Sequence, residues 1–196
     1  MTRRTSRCAS QAGQGLVEMA IVLPVAMLLA LGVVEVSYAL LHQHILSKIS
    51  REGANLISRD VTLLDAGTAL RNMTTPPVDF DNGSRVIFSV LKKGETLGTA
   101  NYDRIILYQR YGVGALAVSS ILQTAGNGSF GPAPEFQALN SDNDTNLQIT
   151  NLPPNLDIVR GGLLYVAEVF TDHPVITPLD RFGVTVPSRL HSIAYF

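Results

Sequence analysis

One cysteine, Cys8, and no tryptophan occur in 196 residues. A single thiol closes no disulfide within the chain, and no apolar stretch precedes Cys8, which argues against a lipid-modified N-terminus. Charge is also scarce: Asp, Glu, Lys and Arg make up 16% of the chain against 46% hydrophobic residues. The 15 Lys and Arg nearly balance the 16 Asp and Glu, so the chain has no basic surplus for a nucleic-acid backbone. No Gly-x-Ser-x-Gly elbow, phosphate loop or GxGxxG is present, so no catalytic motif and no cofactor motif is read. His42 and His44 are too close in sequence to share one helix face, and His173 and His191 have no cysteine or acid at metal spacing. All four are expected to be surface or half-buried histidines, with no metal. Asp142-Asn143-Asp144-Thr145-Asn146 opens like a calcium loop, but Leu147 stands where glycine is needed and Pro153 where the late glutamate belongs. An ordinary polar turn is expected there.

What the chain does have is a long apolar run near its start. A leader with Arg3, Arg4 and Arg7 enters Gly13-Gln14-Gly15-Leu16-Val17-Glu18, and no charge follows from Met19 to Val34. The apolar character continues past Glu35 to Leu41, a span of 23 residues. At about 1.5 Å per residue it reaches about 35 Å, enough to cross a hydrocarbon core roughly 30 Å thick. A cleavable secretory signal is the competing reading, but its apolar region is shorter and ends in a small-x-small site, which this run lacks. The leader arginines place the N-terminus in the cytoplasm. Lys48, Arg51 and Arg59 lie beyond the span and oppose this orientation, unless they sit on a helix that protrudes from the membrane. Pro24 removes a hydrogen bond inside the helix and favours a kink. Glu18 is an acid inside the membrane entrance, a costly placement that suggests function. Glu35 is expected at the outer interface as a solvated or snorkelling carboxylate, with an ion pair to another subunit as the alternative.

From His42 the spacing stays helical. Ile49, Leu56, Leu63 and Leu70 recur every seventh position, predicting an amphipathic stem over 42–73. Arg51-Glu52 fall on its polar face, while Gly53 offers close packing; the stem is expected to lie on the protein's own sheet and not in a coiled coil. Thr74-Thr75-Pro76-Pro77 ends the helical region. Strands are predicted at Arg85–Leu91, Arg104–Tyr111, Gly162–Thr171 and Ser188–Phe196, β-branched and aromatic runs bounded by turn residues. Between the second and third lies an insertion, 112–161, with a helix expected over Leu116–Leu122; loops of this length are functional or mobile.

The segment Gly13-Gln14-Gly15-Leu16-Val17-Glu18-Met19-Ala20-Ile21-Val22-Leu23-Pro24 resembles the processing and helix motif of TadE-like pseudopilins of tight-adherence (Flp-type) pili. Glycine, glutamate and proline are in register, although Met19 stands where the family usually has an aromatic residue. Ser50-Arg51-Glu52-Gly53-Ala54-Asn55 is similar to the family's A-R-E-G-A-R helical turn, so the resemblance runs from Gly13 to about Arg59. It implies a pilin-like α+β fold, with a long N-terminal helix, its inner half transmembrane, packed on a small antiparallel sheet. The implied organisation is a cleaved leader 1–13, a transmembrane helix 14–41, the stem, and a periplasmic β domain 74–196.

By the same resemblance, a prepilin peptidase would cut between Gly13 and Gln14, making Glu18 the fifth residue. Cleavage would take Lys and Arg from 15 to 12 against 16 acids, and the formal charge from −1 to −4. The implied function is that of a minor pseudopilin in pilus initiation, priming or assembly, for adhesion or secretion. Its partners would be other pseudopilins, the major pilin, the inner-membrane assembly machinery and membrane lipid, with no nucleic acid and no cofactor. It would be no enzyme, but a single-pass protein of the bacterial inner membrane, with Glu18 as its assembly carboxylate. The alternative class is a periplasmic ligand-binding or enzymatic domain on a signal anchor.

Overall fold

The computed structural model describes residues 11–73, 76–154, 156–178, 181, 183, 185 and 187–196. Arg3, Arg4, Arg7, Cys8, Thr74 and Thr75 lie outside the described residues, and with them most of the expected leader. The described residues fall into two units, one within Met1–Leu40 with Pro174–Val186 and one within Leu41–His173 with Pro187–Phe196.

The first helix, α1 (Gln11–Ile57), runs without interruption through Pro24. Among the described residues it is the one helix long and apolar enough to cross a membrane. In the first unit most of its apolar side chains are bare, with Leu16 72% and Leu29 68% exposed. Such a surface is stable in lipid and costly in water.

In the second unit, the continuous stem expected over 42–73 is two helices, α1 to Ile57 and α2 (Leu63–Met73). Asp60 takes a left-handed φ of 60°, which stops α1. Thr62 then starts α2 by a reciprocal cap: the Asp65 backbone N–H donates to Thr62 Oγ1 at 3.1 Å, and the Thr62 hydroxyl donates to Asp65 Oδ2 at 2.8 Å. The heptad residues still converge, because Leu63 and Leu70 enter the same core as Leu46, with Ile49 and Leu56 at its edge.

The sheet has four antiparallel strands in the order β2-β1-β3-β4: β1 (Ser84–Lys93), β2 (Ile105–Val113), β3 (Leu163–Asp172) and β4 (Arg189–Tyr195). Each expected strand forms within a residue or two of its predicted bounds. One face carries Val86, Phe88 and Val90 of β1 with Ala167 and Val169 of β3, packed against Leu46, Ala54 and Ile57 of α1. The other face is covered by the insertion, where Leu122 and Ile158 meet Leu91, Leu107 and Val166. Burial on both sides explains why β3 reads as a nearly continuous apolar run.

The expected helix over Leu116–Leu122 is absent; that stretch is irregular chain strapped across the sheet. Glu168, fully buried on β3, accepts the Ile121 N–H at 2.8 Å and the Ser120 hydroxyl, while Arg110 donates to Ser120 Oγ and to the Leu122 carbonyl, both at 3.2 Å. Backbone groups that a helix would pair internally are taken by side chains of the sheet, and tertiary contacts override local preference.

Candidate functional site along the first helix

In the first unit Gly13, Gln14, Glu18 and Pro24 are all exposed. Nothing lies within 4 Å of the position a Cβ on Gly13 would take, so its surroundings are open. Gln14 donates its side-chain amide to Glu18 Oε1 at 3.0 Å, a pair four residues apart on one helix face. Gly13 and Gly15 both lie within α1, where each glycine weakens the helix by about 1 kcal/mol relative to alanine. The Gly13–Gln14 bond thus sits in a stretch of α1 with low helix propensity.

Glu35 differs from its expectation. It is not solvated or snorkelling but 2% exposed. Its carboxylate accepts the Thr177 backbone N–H at 2.9 Å, the Thr177 hydroxyl at 2.6 Å and the Ile176 N–H at 3.4 Å. A charge removed from water is tolerable when donors of this kind surround it.

In the second unit the turn Arg51-Glu52-Gly53-Ala54 divides between two environments. Arg51 and Glu52 are exposed, and with His44 and Lys48 they line an open, mixed-charge surface hollow. Gly53 and Ala54 are buried on the sheet. A Cβ at Gly53 would meet Leu70 Cδ1 and Phe88 Cε1 at 3.1 Å and Ala167 Cβ at 3.3 Å, so glycine sets how closely α1 approaches α2 and the sheet.

Two histidines depart from the expected surface or half-buried setting: His42 and His173 are both 3% exposed, whereas His44 and His191 are exposed. The Nδ1 atoms of the buried pair lie 3.0 Å apart, and the rings meet edge to face. Burial, and secondarily the neighbouring His173, lower the His42 pKa from its ordinary value. Their sequence separation left no local pattern to find them by. Among the described residues no three His, Cys, Asp or Glu side chains gather as metal ligands. The Asp142–Asn146 stretch is a capped turn: Asp144 accepts the Asn146 N–H at 3.0 Å, and buried Asn101 donates to the carbonyls of Ser141 and Asp144.

No curated protein and no solved structure matches the chain. The family model described as TadE-like protein matches residues 13–55. Its first matched residue is the glycine ahead of the apolar run, and its last follows the Gly53-Ala54 pair on the sheet. The matched segment lies wholly within α1, so the chain's likeness to the TadE-like protein family is a likeness of its first helix, from Gly13 through the Arg51–Ala54 turn.

Proposed function

We propose that the chain is a minor pseudopilin of a tight-adherence pilus, processed by a prepilin peptidase between Gly13 and Gln14 and acting in the initiation, priming or assembly of the fibre. The observation that carries this reading is the family match beginning at Gly13, with Glu18 and Pro24 following in register on a bare apolar helix. An anchor alone has no need of that register. Leader arginines ahead of the span favour a cytoplasmic N-terminus and a periplasmic sheet domain. The work is mechanical: subunits associate through their helices, and no step is catalysed by this chain.

Glu18 has a defined task in this reading. Cleavage frees the α-amino group of Gln14 four residues before Glu18, at the cytoplasmic edge of the bilayer. A subunit moving outward carries the carboxylate into an apolar layer, where an unpaired charge costs several kcal/mol. The amine of a neighbouring subunit satisfies it and fixes the axial register between the two.

Co-expression with a cognate prepilin peptidase, followed by intact-mass measurement, tests the reading. The expected product lacks residues 1–13, and Gly13→Leu retains them. Retention of the leader in the wild-type chain, or cleavage near Gly32, would overturn it. The periplasmic placement has its own test in a phosphatase fusion after Arg110, expected to be active.

A further inference from the structure

Within the first unit one stripe of α1 is covered. Leu28, Leu31, Gly32, Tyr38 and Ala39 are half-buried and Glu35 is buried, the spacing of a single helix face. The second stretch of chain in this unit is Pro174–Val186, and it begins Pro174-Val175-Ile176-Thr177-Pro178. Glu35 fixes this loop through the Ile176 and Thr177 N–H groups and the Thr177 hydroxyl. Thr177 is 8% exposed, while Val175 and Ile176 are 40% and 49% exposed. The loop therefore turns polar groups inward to the carboxylate and apolar side chains outward. Prolines at 174 and 178 remove two further backbone donors that would otherwise need water.

We propose that loop 174–178 is a second membrane contact, laying Val175 and Ile176 into the boundary between headgroups and acyl chains, with Glu35 as its clasp. Its partner is the lipid surface. Residues 14–34 reach about 31 Å as helix, which matches a hydrocarbon core of roughly 30 Å and brings Glu35 to the outer boundary. Irregular backbone is excluded from bare hydrocarbon but not from the interface, so the loop marks where the core ends, near Val34 and short of Leu41. Val33, Val34 and Val36, each more than half exposed, continue the same apolar surface at that level of α1.

This inference rests on the reading of α1 as a membrane span, and its test separates the two. The full chain carrying Cys8→Ser is placed in liposomes with a single labelled cysteine, introduced as Ile176→Cys or Val175→Cys in the loop, Val25→Cys in the span, or Leu97→Cys in an exposed turn. Each cysteine bears an environment-sensitive fluorophore, and quenching by lipids brominated near the headgroup or deep in the acyl chain is measured. Position 25 should respond to the deep bromines, 176 and 175 to the shallow ones, and 97 to neither. Quenching at 25 with both loop positions behaving like 97 overturns the loop contact alone; no quenching at 25 overturns the span. Glu35→Ala should weaken quenching at 176 and leave 25 unchanged, and an unaltered signal at 176 would remove Glu35 as the clasp.

Discussion

His42 and His173, 131 residues apart in the chain, hold each other Nδ1 to Nδ1 at 3.0 Å in a buried site. Such a contact is a hydrogen bond only while at least one ring supplies a lone pair. When both are protonated it becomes two donors and two like charges face to face.

The pair predicts a pH dependence with a definite sign. Because the folded-state pKa of His42 is lowered, the unfolded chain binds more protons as pH falls, and stability falls with it. The contribution is present above the ordinary histidine pKa of about 6.5 and is lost as pH drops through the lower folded value. Thermal unfolding of the full chain in detergent should show a lower Tm at pH 5 than at pH 7.5, and His42→Gln should flatten that difference. An unchanged pH profile in the variant would assign the effect elsewhere.

Glu168→Ala should be among the most damaging single substitutions in the second unit. It leaves the Ile121 N–H without its acceptor and half-buried Arg110 without the nearby carboxylate. A loss of about 3 kcal/mol is expected by denaturant titration. Adding Arg110→Met should cost less than the sum of the two single changes, since the two side chains share the Ser120 hydroxyl and the strap it holds.

Gly53 and its neighbours should separate packing from partner contact. Gly53→Val forces branched atoms against Phe88 and Ala167 and should destabilise by about 1–3 kcal/mol. Arg51→Ala and Glu52→Ala, both at exposed positions, should stay within about 0.5 kcal/mol of wild type in the same measurement. If the two charged side chains serve another subunit, their loss will appear in co-purification with partner pilins and not in unfolding.

For Glu18→Leu, normal cleavage and normal membrane insertion are expected, together with loss of piliation. Piliation at wild-type level in the cleaved variant would reduce Glu18 to an interfacial residue and end the register argument.

The four strands were legible because each is a run of β-branched and aromatic residues closed by turn residues, a local signal that survives without tertiary context. So was the core stripe of the stem, although Ile49, Leu56, Leu63 and Leu70 keep their heptad across a break between helices. The break itself had a local sign, the Thr62–Asp65 capping pair, which the continuous apolar spacing overshadowed. Leu116–Leu122 misled because its helix-compatible spacing carries no trace of a carboxylate on a strand nearly fifty positions later. Glu35 and the two buried histidines were hidden for the same reason: their partners lie more than a hundred positions away. Glu18 and Pro24 stood out as an acid and a proline within an apolar run, and their register with Gly13 rests on resemblance, since their exposed surroundings supply no packing reason for them.

Under the proposed export of the sheet domain, the core that joins α1 to the sheet also sets an order of events. Ser50 on α1 meets Ser192 on β4 hydroxyl to hydroxyl at 3.0 Å, and Leu46 shares a core with Ala194. A chain threaded outward from its N-terminal anchor delivers these helix residues first and β4 last. Until β4 emerges, β3 has an unpaired edge and the apolar side of the stem lacks part of its cover. On that reading the domain closes after translocation rather than during it, and in the interval its bare edge strand is open to capture by any chaperone or neighbouring subunit that reaches it.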